Sequence, residues 1–275
     1  MVAIDSLRPS LTAISYALDL TMSQEAELVA VFLDDVSNYS YEAYQTFYGQ
    51  ITISQEKHRS SNEIDDKKRE KAVAIFEDMI RGKKVNYRIH HDKNISLTEL
   101  KEESMYADLL VIESKETMAY YAEKIPTHFI KNLLKEIHCP VLTVPAEYKK
   151  INRVLFLYDG GPHSTHAIKM FNYLFPLFKG ADMEVLTVQS KKRELRVLNN
   201  HLLKEYLKEP FPHAVYTVLK GLPDIEIINY LKGKHENEII VLGAYDRGKL
   251  SRMLRPSIIE ALMKEIKAPL FINHN

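Results

Sequence analysis

Gly243-Ala244-Tyr245-Asp246-Arg247-Gly248-Lys249-Leu250 is the stretch of this chain nearest to phosphate chemistry. It approaches the loop G-x-x-x-x-G-K-[ST], in which backbone N–H groups and a lysine cradle phosphates. Leu250 stands where that loop needs a hydroxyl for magnesium, so the match stops one residue short. The loop also belongs after a first strand, whereas this stretch follows the fourth strand of its half. Arg247, Lys249, Arg252 and Arg255 still surround it with positive charge.

The other reactive side chains are sparser. His163 and His166 have H-x-x-H spacing at a helix start, close to Asp159. A zinc site needs a third ligand and a second shell, and without them the pair reads as exposed or capping histidines. His90-His91-Asp92 closes a strand and reads as a solvated edge. Cys139 is the only cysteine, which excludes an intramolecular disulfide and a cysteine-rich zinc centre. Its place before Pro140 suits a small packed residue. There is no G-x-S-x-G elbow and no C-x-x-C pair, so no nucleophile–base arrangement is legible.

The elements that must position these residues are clearest in the second half. Arg153–Tyr158 is an apolar run of strand formers that stops at the turn signal Asp159-Gly160-Gly161-Pro162. Ala167, Ile168, Phe171, Leu174, Phe175 and Phe178 then fall at helical spacing. Strands over Glu184–Val188, Ala214–Leu219, Glu238–Leu242 and Pro269–Ile272 alternate with helices. The first half repeats the order, with strands over Val2–Ile4, Glu27–Leu33, Val85–His90, Asp108–Ile112 and Val141–Val144. Such alternation predicts βαβ units and parallel sheets covered on both faces.

The halves also match residue by residue. Glu136-Ile137-His138-Cys139-Pro140-Val141-Leu142 returns as Glu265-Ile266-Lys267-Ala268-Pro269-Leu270-Phe271. Asp5, Ser10, Ala13 and Ile14 return at one constant offset as Asp159, Ser164, Ala167 and Ile168. A repeat this long is a duplicated domain rather than a solenoid unit. We therefore expect two tandem five-stranded, doubly wound α/β (Rossmann-like) domains, over 1–146 and 150–275, joined by the polar linker Ala146-Glu147-Tyr148-Lys149-Lys150. The first half is the longer, mainly within 35–69, where Tyr41, Tyr44 and Tyr48 share a helical face. That segment reads either as a helix packed on its own domain or as a lid or partner surface.

Composition narrows the function classes. Its 37 basic and 37 acidic residues cancel, and a pI near 7.2 leaves no electrostatic footprint for nucleic acid. The N-terminus has no signal-peptide pattern, and no apolar run reaches membrane-spanning length. A cytoplasmic protein with no membrane and no nucleic-acid partner is expected.

Ligands of doubly wound sheets bind beyond the carboxyl ends of the strands, where strand order reverses. In the second half that places Asp159, Val188, Gln189 and Gly243 at the crevice. The element order, Asp159, Gly243-Ala244-Tyr245 and the closing Lys267-Ala268-Pro269-Leu270-Phe271-Ile272 resemble the universal stress protein family, over nearly the whole chain, as a tandem pair. Nucleotide-binding members carry G-x2-G-x9-G-[ST] after the fourth strand, where backbone N–H groups hold ATP phosphates, while the first-strand Asp holds the ribose or adenine. Laid on this sequence the pattern gives Gly243, then Asp246 and Pro256 in place of glycines, then Ser257. Asp246 would repel phosphate, and Pro256 has no N–H to donate. Gly248 substitutes for a glycine if the loop shifts. Ser257-Ile258-Ile259-Glu260 also has the form of a helix capping box.

The resemblance thus implies a nucleotide set of Asp159, Val188, Gly243, Gly248 and Ser257, for ATP or another adenine nucleotide in the second domain. The first domain keeps only Asp5, because Glu113-Ser114-Lys115-Glu116 stands where Gly243 and its followers stand. The expected function is a non-enzymatic stress-response protein with weak or absent ATP binding, confined to the second domain. Its alternatives are a slow ATPase built on Asp159 and an interaction module using the 39–48 aromatic segment. Family members commonly pair through their last strands, so an internal pseudo-dimer through Val141–Val144 and Leu270–Ile272 is expected. A homodimer and a protein partner are further assemblies the sequence allows.

Overall fold

The short apolar run Val2-Ala3-Ile4 opens strand β1 (Val2–Asp5), and all four residues, the terminal Asp5 included, are buried. A computed structural model describes residues 1–33, 55–92, 96–118, 122–189, 200–233, 237–243 and 256–273. These residues divide into two compact units, Met1–Ile137 and His138–Asn275.

In the first unit β1 leads into helix α1 (Leu11–Gln24). Ser10 caps that helix, its Oγ accepting the Ala13 N–H at 3.2 Å. Glu25 ends it in the left-handed region at φ 51° and returns its N–H to the Thr21 carbonyl. Strand β2 (Glu27–Leu33), helix α2 (Gln55–Ile80), strand β3 (Asn86–Asp92), helix α3 (Ser96–Ser104), strand β4 (Leu110–Glu113) and helix α4 (His128–Glu136) follow. The strands lie in the order β3-β2-β1-β4. Parallel registers are Val2 with Ala30, Val2 with Val111 and Glu27 with Asn86. Phe32 on β2 meets Phe76 on α2 edge-on at 5.8 Å, and both rings are buried. Of the long insertion expected over 35–69, residues 55–69 form the start of the 26-residue helix α2. The aromatic segment 39–48 lies outside the described residues.

The second unit begins with strand β5 (Val141–Val144) and strand β6 (Arg153–Leu157). Helix α5 (Pro162–Leu174), a 3-10 turn (Pro176–Phe178), strand β7 (Asp182–Gln189), helix α6 (Asn200–Leu207) and strand β8 (Val215–Lys220) come next. Helix α7 (Pro223–Leu231), strand β9 (Glu238–Gly243), helix α8 (Pro256–Glu265) and strand β10 (Leu270–Asn273) complete it. The order is β5-β10-β9-β6-β7-β8. All neighbours are parallel except β5, which runs antiparallel to β10 with Val141 opposite Ile272 and Leu142 opposite Phe271. These are the two strands that the sequence marked as edges. The linker 146–150 follows the period of the repeat, which assigns β5 to the first copy. Compactness assigns β5 to the second unit, with β10.

Each repeat therefore supplies five strands, as expected. Phe171 on α5 is the hub of the second core: Phe156, Phe175, Phe178 and Phe271 all lie within 5.0–5.7 Å of its ring centroid. In both units strand order reverses beside the first strand of the repeat, between β1 and β4 and between β6 and β9. The crevice at each reversal is where a ligand would sit.

Candidate functional site

In the second unit, Asp159 immediately follows β6, and its carboxylate folds the chain into α5. Oδ1 accepts the Gly161 N–H at 2.9 Å and the Ser164 hydroxyl at 2.6 Å. The turn that Asp159-Gly160-Gly161-Pro162 signalled is thus closed by its own first residue. Gly160 has φ +80°, a conformation glycine adopts without strain. Pro162 opens the helix at a position whose N–H would have no partner in any case.

Gly243 ends β9 directly beneath the start of α5. A Cβ there would lie 2.5 Å from the His163 carbonyl carbon and oxygen, and 2.9 Å from the Ser164 nitrogen. Close approach of two backbones therefore accounts for this glycine with no ligand invoked. Its neighbour across the ladder, Asn273, is buried and contacts His166 Nδ1 at 2.6 Å through Nδ2. With the amide donating, the imidazole is neutral and carries its proton on Nε2. Burial, then the charge of Lys169, then His163, lower the His166 pKa, which agrees with a neutral ring.

The remaining predicted residues are placed as follows. Val188 is in β7, paired with Leu219, and its side chain is buried. Gly248 and Asp246 lie outside the described residues. Ser257 falls inside α8, which begins at Pro256. The capping-box reading needed the helix to start after Ser257, at Ile258; proline at the first helical position starts it two residues earlier. Three polar atoms lie at this end of the sheet, on Gln189 and His163, which the sequence singled out, and on Thr187, which it did not. Thr187 Oγ1, Gln189 Oε1 and His163 Nδ1 are buried, with no hydrogen-bond partner among the described residues. Thr187 and Gln189 alternate onto the face of Val185, whose partner Phe156 packs on Phe171 of α5. Buried polar atoms of this kind call for a partner such as water or a ligand.

The first unit fills the same crevice with its own side chains. Asp5 Oδ1 accepts the Leu7 N–H at 2.8 Å, while Oδ2 pairs with the Arg8 guanidinium at 3.2 Å. Arg8 Nη2 also reaches Thr117 Oγ1, at 3.4 Å, on the loop after β4. Glu113, at the end of β4, is buried and pairs with Lys115 at 3.0 Å. Glu116 Oε1 accepts the Thr117 and Met118 N–H groups at 2.9 and 3.0 Å. Burial, and next the Asp5 carboxylate, push the Glu116 carboxyl up to about 7; the two N–H groups and Arg8 pull the other way. The Asp5-x-x-Arg8 spacing was a readable signal for this closure, since it recurs in many local ion pairs.

A second polar cluster lies at the opposite, amino-terminal end of the second sheet. Arg153 Nη2 lies 2.6 Å from Glu184 Oε2, and its Nε lies 3.3 Å from Glu238 Oε2. Glu184 Oε1 accepts the hydroxyls of Thr217 and Tyr230. The resulting asymmetry separates the two acids. Burial and the nearby Glu184 raise the Glu238 carboxyl to about 7 against the pull of Arg153. The hydrogen bonds of Thr217 and Tyr230, with Arg153, hold Glu184 below its usual range despite burial. Elsewhere His90 Nδ1 meets Glu103 Oε1 at 2.6 Å and His91 stacks on Phe32 at 5.5 Å, so neither histidine is simply solvated. Cys139 is buried. Among the described residues no group of three or more His, Cys, Asp or Glu side chains is set to hold a metal ion, and no helix is long and apolar enough to cross a membrane.

Solved structures share this architecture. A universal stress protein from Archaeoglobus fulgidus superposes with TM-score 0.65 at 13% identity, covering 99% of this chain and 98% of that one. A functionally unknown protein from Pseudomonas aeruginosa PAO1 superposes with TM-score 0.50 at 14% identity, covering 92% and 94%. No family model matches the sequence, and no curated protein is similar to it. The fold is the universal stress protein fold, present twice along one chain.

Proposed function

We propose that the chain is a tandem universal stress protein, cytoplasmic and non-enzymatic, that acts in a stress response. Adenine-nucleotide binding is weak or absent and confined to the second unit. The contrast between the two crevices supports this reading most directly. In the first unit Arg8 already occupies Asp5, and the buried Glu113 puts a carboxyl group where phosphates would lie. In the second unit Asp159 Oδ1 is engaged by the turn, and Asp246 and Pro256 stand in place of two loop glycines. Pairing of β5 with β10 supports an internal pseudo-dimer of the two repeats.

Calorimetric titration with ATP and magnesium tests the nucleotide reading. Heat too small to fit, or a dissociation constant in the millimolar range, is expected; a micromolar constant would overturn it. The partnerless Gln189 Oε1, Thr187 Oγ1 and His163 Nδ1 favour a second reading, in which the second crevice holds a nucleotide and hydrolyses it slowly. Mass spectrometry of small molecules released on denaturing the purified protein separates the two. A co-purified nucleotide, with phosphate release above a mock preparation, selects the second reading.

A further inference from the structure

Backbone N–H groups that converge on one point make a seat for an oxyanion. The loop after β4 has such a seat. The N–H groups of Thr117 and Met118 both reach one oxygen, at 2.9 and 3.0 Å, and that oxygen is Oε1 of Glu116, the residue before them. The backbone around the seat is held by bonds that do not involve this carboxylate. The Glu116 N–H donates to the Glu113 carbonyl at 3.0 Å, and the Glu116 carbonyl accepts the hydroxyl of Thr127, the buried N-cap of α4. Met118 is kept at φ 50°, a left-handed conformation that a non-glycine residue holds only when its surroundings enforce it.

A cation reaches the seat from another element. Arg8, on the loop after β1, meets Thr117 Oγ1 through Nη2 at 3.4 Å while its guanidinium pairs with Asp5. Its positive charge favours an anion at the Glu116 carboxyl, and the charge of Asp5 opposes one. Two N–H donors beside a guanidinium are the groups that recognise a small oxyanion, and here they are filled from within.

We propose that the first crevice contains a complete oxyanion seat and that Glu116 is its built-in occupant, an autoinhibitory contact that keeps external anions out. The first unit is then closed to ligands because its seat is taken, rather than because it lacks donors. A carboxylate tethered next to its own donors has an effective concentration of about a millimolar or more, so a dilute free anion does not displace it. Removing the side chain while keeping the backbone should expose the seat. Asp5 stays beside it, so the ligand class that fits is a small carboxylate with a single charge.

Acetate, the part of the side chain that Glu116→Ala removes, is the probe. The titration is run on the whole chain at pH 8, above the value of about 7 to which burial lifts this carboxyl, with ionic strength held constant by chloride. In Glu116→Ala, acetate should shift the Thr117 and Met118 amide resonances along a saturable curve, half-complete at roughly 1–100 mM. The natural sequence should show no saturable shift over that range, and neither should Glu116→Gln, whose side-chain oxygen still fills the seat. Adding Arg8→Ala to Glu116→Ala should weaken acetate binding by roughly threefold to tenfold. A merely linear drift of the two amides in Glu116→Ala overturns the proposal. So does a saturable shift of equal strength in the natural sequence, or undiminished binding without Arg8. If Glu116→Ala does not fold in chloride, refolding it in acetate decides. Recovery of the native amide spectrum supports the seat, and equal failure in both salts overturns it.

Discussion

Gly243 shows how one residue can carry two readings. Its sequence context suggested the first glycine of a phosphate loop, yet the backbone of His163 leaves no room there for a methyl group. Gly243→Ala should therefore cost about 2 kcal/mol or more of stability, whatever the ligand, since the contacts are backbone and cannot swing away. Urea unfolding of the pure protein checks this, and an unchanged midpoint would return the glycine to a ligand role. Glu238 supplies a pH prediction. It is buried at 1% exposure, and its carboxyl stays protonated up to about 7 in the native state. The unfolded chain releases that proton near 4.5, so stability should fall as pH rises from about 4.5 to about 7 and then flatten. Glu238→Gln should reduce the slope, read from urea midpoints across that range. Neither effect was legible in the sequence: a glutamate opening a strand reads as a solvated end, and only the register beside Arg153 and Glu184 makes it a buried acid.

At the scale of elements, local signals did most of the work. Ser10 was marked by the repeat and proves to be an N-cap, so Ser10→Ala should cost about 1 kcal/mol. Thr127→Ala should cost at least as much, because its hydroxyl also ties α4 to the Glu116 carbonyl. Phe171→Ala should cost about 3–5 kcal/mol, since four aromatic neighbours lose their common contact. Thermal melts of the three variants should rank them in that order of loss, with Phe171→Ala melting lowest. The strands β2 and β5 have the bounds their apolar runs implied, because a run buried on both faces leaves no ambiguity of period. Helix α8 departs from the capping-box expectation by two residues, because proline at its first position competes with the serine that follows as a start signal.

At the scale of the molecule, the duplication was legible, and the repeat and the compact units divide the chain at different points. The repeat places β5 with the first copy; its antiparallel ladder to β10 places it with the second compact unit. A fragment spanning 138–275 should then melt cooperatively, whereas one spanning 150–275 leaves β10 as a bare edge and should melt lower or aggregate. Circular dichroism and gel filtration of the two fragments check this; equal melting temperatures would restore the seam to the linker.

The sequence by itself determined the order of elements, the five strands per copy and the parallel βαβ winding. All of these follow from periodicity and turn chemistry, which act over a few residues. Tertiary structure alone decided that Arg8 reaches Thr117 across the crevice, that Glu238 is buried beside Arg153 and Glu184, and that Gly243 makes room for a helix. Those outcomes depend on distances between residues far apart in the chain, and charge and steric energies at such contacts change steeply over an ångström.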